Sequence, residues 1–253
     1  MVAKYAAFAI GYFVMSSMTL IRHGQASFFS DDYDQLSPTG QEQSGLLGRF
    51  WGSHAYRFTQ VFTGPRVRQT QTASLIGDSF RETGGDWPEP IVLAELDEYD
   101  LSGLMNQLAP ALRERDSHFA SLIEANRQSV ETRDRLETFQ TMFEKLLVHW
   151  QSESLAIDGV ESWADFRKRV AHAIEHIQKN TPPGSRVAVV TSGGFIGTVV
   201  QSVLSAPERS ALELNWRVRN SSLTELVFTR QRLSLDSFNA VPHLPDPKHW
   251  TYR

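Results

Sequence analysis

Arg186-Val-Ala-Val-Val-Thr191, followed at once by Ser192-Gly193-Gly194, is the stretch on which the fold turns. Val187, Ala188, Val189 and Val190 are continuously apolar, whereas a strand with one wet face alternates apolar and polar positions. The run therefore predicts a parallel strand covered on both faces, turning through the glycines into a helix. Working outward, a helix is predicted upstream from Ser162. It carries Trp163, Phe166, Val170, Ile174 and Ile177 on one face and is closed by Thr181-Pro-Pro-Gly184. Downstream, Ser222–Phe228 and Leu233–Phe238 predict a hairpin.

The N-terminal half repeats the alternation. Met18–Ile21 is an apolar run stopped by Gly24, and Ser37-Pro38 is a good N-cap with proline at the first helical position. That helix should bury Leu46, Leu47, Phe50 and Trp51. Gln60–Thr63 is a second strand broken by Gly64-Pro65, a helix continues from there through about Phe80, and Ile91–Leu93 is a third strand. Between residues 100 and 160 the alternation stops: Leu136, Phe139, Phe143, Leu146, Leu147 and Trp150 recur at helical spacing. The expectation is an α/β, three-layer sandwich with a mostly parallel central sheet, helices on both faces, and a helical insertion acting as a lid.

Composition narrows the function. The chain of 253 residues carries a formal net charge of −4 and no cysteine. Nothing in it pulls the protein onto nucleic acid or an anionic membrane, and disulfides, thiolate metal sites and cysteine nucleophiles are excluded. A reducing, cytoplasmic location is expected. Ala6 to Met15 form an apolar stretch behind Lys4, shorter than the roughly 20 residues that span a bilayer. Residues 1–17 are read as an N-terminal extension to one domain, 18–253. His172 and His176 stand four apart, a spacing metals use, with no third ligand in view. No metal or cofactor is expected.

The chemistry-bearing residues fall at the carboxyl ends of strands, where open α/β sheets place their sites. Arg22-His23-Gly24 comes after the first strand, Arg68 after the second, Glu95 and Glu98 after the third, and Ser192, Gly193 and Gly194 after the fourth. An arginine pair grips phosphate with planar donors. A neutral imidazole between them can attack as nucleophile, and a nearby carboxylic acid can protonate the departing oxygen. Glycines at a helix N-terminus leave N–H groups for phosphate oxygens.

These residues sit in a longer pattern. Leu20-Ile-Arg-His-Gly-Gln-Ala-Ser27 resembles the signature of the histidine phosphatase superfamily, which includes cofactor-dependent phosphoglycerate mutases. Leu36-Ser-Pro-Thr-Gly-Gln-Glu-Gln43 resembles the family's segment opening its first helix. Gly64-Pro-Arg-Val-Arg-Gln-Thr-Gln-Thr-Ala73 resembles its second arginine motif, and Val160-Glu-Ser-Trp163 its Gly-Glu-Ser helix start. Val189-Val-Thr-Ser-Gly-Gly194 resembles its late strand-to-loop motif. The resemblance implies a metal-independent phosphatase in which His23 is the nucleophile and Arg22, Gly24, Arg68, Ser192 and Gly193 bind phosphate. The general acid is Glu98 or Glu95, Glu98 being favoured because Glu-Tyr-Asp starts there as in similar relatives.

The chain also departs from the family. Ser192 stands where the late motif has a second histidine, Phe28 and Phe29 occupy a region that often holds an asparagine, and Gly64 and Arg66 replace residues that are commonly serine and apolar. Three functions stay open: a phosphomonoesterase forming a phosphohistidine, a phosphoglycerate mutase-like phosphotransferase, and a weakly active or non-catalytic phospholigand-binding protein. The missing second histidine argues against the mutase, and retained His23 with two candidate acids argues against the non-catalytic protein, which leaves the first favoured. Its partner would be a phosphorylated substrate, small or protein-borne.

Overall fold

The computed structural model describes residues 15–27, 34–129, 132–153, 155 and 157–252; residues 1–14, Phe28, Phe29 and the Leu136 side chain lie outside the described set. In chain order the elements are β1 (Ser16–Arg22), α1 (Pro38–Ser53), β2 (Gln60–Thr63), α2 (Val67–Glu82) and β3 (Ile91–Val92). The insertion comes next as α3 (Leu101–Gly103), α4 (Ala109–Arg115), α5 (Ser117–Gln128) and α6 (Thr132–Gln151), with a π-turn at Leu104–Leu108 between α3 and α4. Then come α7 (Trp163–Asn180), β4 (Arg186–Thr191), α8 (Gly193–Val203), α9 (Arg209–Asn215), β5 (Leu223–Phe228) and β6 (Leu233–Ala240).

The strands form one sheet in the order β3-β2-β4-β1-β5-β6. β1, β2, β3 and β4 pair in parallel, and β5 and β6 close one edge antiparallel. β4 is central, which explains its uninterrupted apolar run. Val187 and Val189 pack into one core with Met18, Leu20, Phe62, Phe166 and Phe195, while Ala188 and Val190 face the other with Ile21, Leu47, Trp51, Ile76 and Phe80. Period-two alternation thus divides one strand between two helical layers.

The helix starts behave as their caps dictate. Ser37 Oγ accepts from Gly40 N–H at 3.1 Å ahead of Pro38, and Ser162 Oγ accepts from Asp165 N–H at 3.1 Å ahead of Trp163. The insertion is not a separate body. Leu104, Leu108, Leu112, Phe119, Phe143, Leu146, Leu147 and Trp150 join the core that holds Met18 and Val187. Trp150 Nε1–H also donates to Glu161 O at 2.8 Å, tying α6 to the start of α7. β3 departs from expectation: it is a two-residue edge strand with Ile91 and Val92 46% and 56% exposed, although Leu93 N–H still reaches Thr63 O at 2.9 Å. The sequence pattern predicts no counterpart of α9.

Candidate active site

β1 ends between β4 and β5, and both neighbours hold the segment just beyond its end. His23 N–H continues the ladder to Thr191 O at 2.9 Å, while Ser221 N–H reaches Arg22 O at 3.0 Å and Asn220 Nδ2 reaches His23 O at 3.3 Å. The buried imidazole is fixed at both nitrogens. Nδ1 lies 2.7 Å from Gly24 O, which only an Nδ1–H tautomer satisfies, so Nε2 keeps its lone pair and accepts from Arg68 Nε–H at 3.1 Å. Burial, then the Arg68 and Arg22 guanidinium groups, hold the His23 pKa well below its ordinary 6.5, against the opposing pull of Gly24 O. His23 is therefore neutral at physiological pH.

Gly24 serves this geometry. Its N–H is taken by Thr72 Oγ1 at 3.0 Å, and a Cβ there would lie 2.4 Å from Gly40 O. The glycine lets the start of α1 press against the loop that carries His23. The Gly24 N–H, expected to contact phosphate, is engaged by Thr72 in this structure.

Arg22 and Arg68 flank His23. Arg22 Nη1 donates to Val218 O and, at 2.7 Å, to Tyr252 O. Arg68, in the first turn of α2, donates from Nη1 to Asp34 Oδ1 at 2.7 Å, and Asp34 Oδ2 accepts Val67 N–H at 2.8 Å. The sequence does not single out Asp34; an acidic residue three positions before a helix cap carries no distinctive signal.

The two candidate acids separate in space. Glu98 lines a cavity of about 780 Å³ with Arg22, His23 and Arg68, whereas Glu95 is exposed and outside it. Glu98 Oε2 accepts Gly194 N–H at 3.0 Å at the head of α8, and Oε1 accepts Tyr99 N–H at 3.1 Å. Burial raises the Glu98 pKa above its ordinary 4.5 in spite of those N–H groups and the two arginines, which favour the carboxylate. Arg169 holds the backbone around it: Nη1 donates to Glu95 O at 3.0 Å and Asp97 O at 2.8 Å, and Nη2 to Glu98 O at 3.2 Å. Glu161, from the Glu-Ser motif, aligns that guanidinium through bonds at 2.7 and 2.8 Å.

Ser192 departs from expectation. It is fully buried, lies outside the cavity lining, and its Oγ accepts from Gln69 Nε2 at 2.9 Å. Gln69 Oε1 in turn accepts Arg66 N–H at 3.0 Å, and a Cβ on Gly64 would fall 2.2 Å from that oxygen. Gly64, Gln69 and Ser192 thus form one compact unit behind the site, so the hydroxyl is not placed as a phosphate ligand. Gly193 remains close: a Cβ there would fall 3.5 Å from the Arg22 guanidinium carbon.

The rest of the cavity is larger than a phosphate needs. Phe139 and Phe143 of α6 stack with centroids 5.9 Å apart, and Trp216 meets Phe143 edge-on at 5.6 Å. Arg66, Arg217 and Tyr252 also line it. Among the described residues no three His, Cys, Asp or Glu side chains come together to hold a metal, and no helix is long and apolar enough to cross a membrane.

Solved structures share this architecture. A phosphoglycerate mutase from Bacillus anthracis superimposes with a TM-score of 0.61 at 16% identity, over 92% of this chain and 97% of the other. A phosphoserine phosphatase from Entamoeba histolytica, solved with 3-phosphoglyceric acid, gives 0.58 at 19%, over 91% and 100%. A mycobacterial glucosyl-3-phosphoglycerate phosphatase gives 0.57 at 19%, over 88% and 98%. At these identities the likeness is one of fold. No protein of curated function matches the sequence. The profile of the histidine phosphatase superfamily (branch 1) matches residues 18–148 and 117–241. With that match spanning most of its length, the chain belongs to the histidine phosphatase superfamily.

Proposed function

We propose that the protein is a metal-independent phosphomonoesterase that works through a phosphohistidine on His23. The observation that carries this reading is the imidazole itself: neutral, its Nδ1–H anchored on Gly24 O, its Nε2 lone pair presented beside Arg68 in the cavity that Glu98 lines.

In the first half-reaction Nε2 attacks phosphorus, the P–O bond to the alcohol breaks, and Glu98 gives its proton to the departing oxygen. Arg22 and Arg68 meet the charge on the phosphoryl oxygens, Arg68 turning its Nε–H from Nε2 to a phosphoryl oxygen, which frees the attacking lone pair, and exchanging Asp34 for phosphate. Glu98, now a carboxylate held by the Gly194 and Tyr99 N–H groups, takes a proton from water as its oxygen attacks phosphorus. The N–P bond breaks, inorganic phosphate leaves, and His23 and Glu98 regain their starting forms. A mutase must keep water from the phosphoenzyme, and a cavity of about 780 Å³ has room for water beside a small phosphate ester, which favours hydrolysis.

Turnover of an aryl phosphate by wild type and His23→Ala, both with excess chelator, tests the reading. Wild type is expected to be active and the variant to retain the fold with no turnover. Full activity in His23→Ala, or activity in wild type only after metal is added, contradicts it.

A further inference from the structure

The cavity lining carries an arginine that phosphoryl transfer at His23 does not use. Among the described residues four arginines line the cavity: Arg22, Arg66, Arg68 and Arg217. Arg22 is engaged by the Val218 and Tyr252 carbonyls, Arg68 by His23 and Asp34, and Arg66 by Asp97 at 2.6 Å. Arg217 is exposed, and its side chain has no hydrogen bond or ion pair among the described residues. The same lining carries an aromatic and apolar group, Phe139, Phe143, Trp216 and Leu101. The volume of about 780 Å³ lies among sites that enclose drug-sized ligands, roughly 300–1,000 Å³.

From these features, and resting on the phosphatase reading, we infer that the substrate is a phosphomonoester with an apolar or aromatic body and a second anionic group, received by Arg217. The phosphoryl group occupies the Arg22–His23–Arg68 end, and the body lies against Phe139, Phe143 and Trp216. The second anion meets the lining arginine whose side chain has no hydrogen bond or ion pair among the described residues. A planar guanidinium accepts a carboxylate or phosphate through paired donors. Its position at the solvent-exposed rim makes the gain one of selection between substrates more than of raw affinity.

The test compares kcat/KM for methyl phosphate, benzyl phosphate and the 3- and 4-carboxybenzyl phosphates at one ionic strength. The three benzylic alcohols are similar in acidity, so leaving-group chemistry cancels among them. Benzyl phosphate should exceed methyl phosphate about tenfold, from burial of the ring. At least one carboxybenzyl ester should exceed benzyl phosphate about fivefold, as a partly exposed ion pair allows. Arg217→Gln should bring that second ratio to about one, and Arg217→Lys should keep part of it. Arg232→Gln, at an exposed charge just ahead of β6 and outside the cavity lining, should keep all of it. The inference is overturned if wild type does not prefer either carboxylated ester, or if the preference survives Arg217→Gln. Absence of turnover for all four esters by folded protein is a different result: it overturns the hydrolase reading and the substrate class with it.

Discussion

Ser192 is a single buried hydroxyl whose work is to accept from Gln69 Nε2, and its loss should be felt in stability. Ser192→Ala leaves a buried amide donor without its acceptor, which costs about 1–3 kcal/mol. Urea unfolding should show that loss while kcat/KM changes little; the reverse pattern would put the hydroxyl on the phosphate. Glu98 has the complementary role. Glu98→Gln should slow esters of weakly acidic alcohols far more than activated aryl esters, since only the former need a proton on the leaving oxygen, and Glu95→Gln should do neither. The same residue sets the pH profile. His23 must be neutral, and its lowered pKa keeps it so well below pH 6.5, so the acid limb lies far to the acid side. Glu98 must be protonated, and its raised pKa moves the alkaline limb upward from 4.5. For alkyl esters kcat/KM should fall on the alkaline side as Glu98 ionises, and Glu98→Gln should remove that limb.

Between elements, the most consequential link is Arg169 of α7, which binds three carbonyls of the turn bearing Glu98 and is itself aligned by Glu161. Arg169→Ala should cost about 2–3 kcal/mol, because it strips charge-assisted bonds from a half-buried group and leaves Glu161 unpaired. It should also lower kcat for alkyl esters, and lysine should rescue poorly because one ammonium cannot replace a planar fork. An Arg169→Ala protein with normal kcat on such esters would show that the turn holds itself. The elements themselves are largely legible in the sequence. The β4 run, the Ser37-Pro38 cap and the α7 stripe are local patterns that burial on two faces, capping and 3.6-residue periodicity write directly into the chain. β3 is less legible because its two residues lie exposed at an edge, and α9 because seven residues hold barely two turns of pattern.

At the scale of the molecule, the parallel sheet gathers the ends of β1, β2 and β4 on one side, and the helical insertion walls them in. His23, Arg22, Arg68 and Glu98 are readable because each comes after a strand in a recognisable motif. Asp34, Phe139, Arg217 and Tyr252 are not: they come from segments far apart in sequence, and only packing brings them to one cavity. The hydrogen bond that Ser192 accepts is not legible in the sequence for a related reason, since its partner Gln69 lies 123 positions away. The claim that unites the site is that phosphorus passes through Nε2 of His23. Brief mixing with ³²P-labelled ester, ended by an alkaline quench, tests it most directly. Label should remain on the wild-type protein in alkali, disappear on acid treatment, and be absent from His23→Ala. Label that survives acid, or that still forms in the His23→Ala protein, would contradict it.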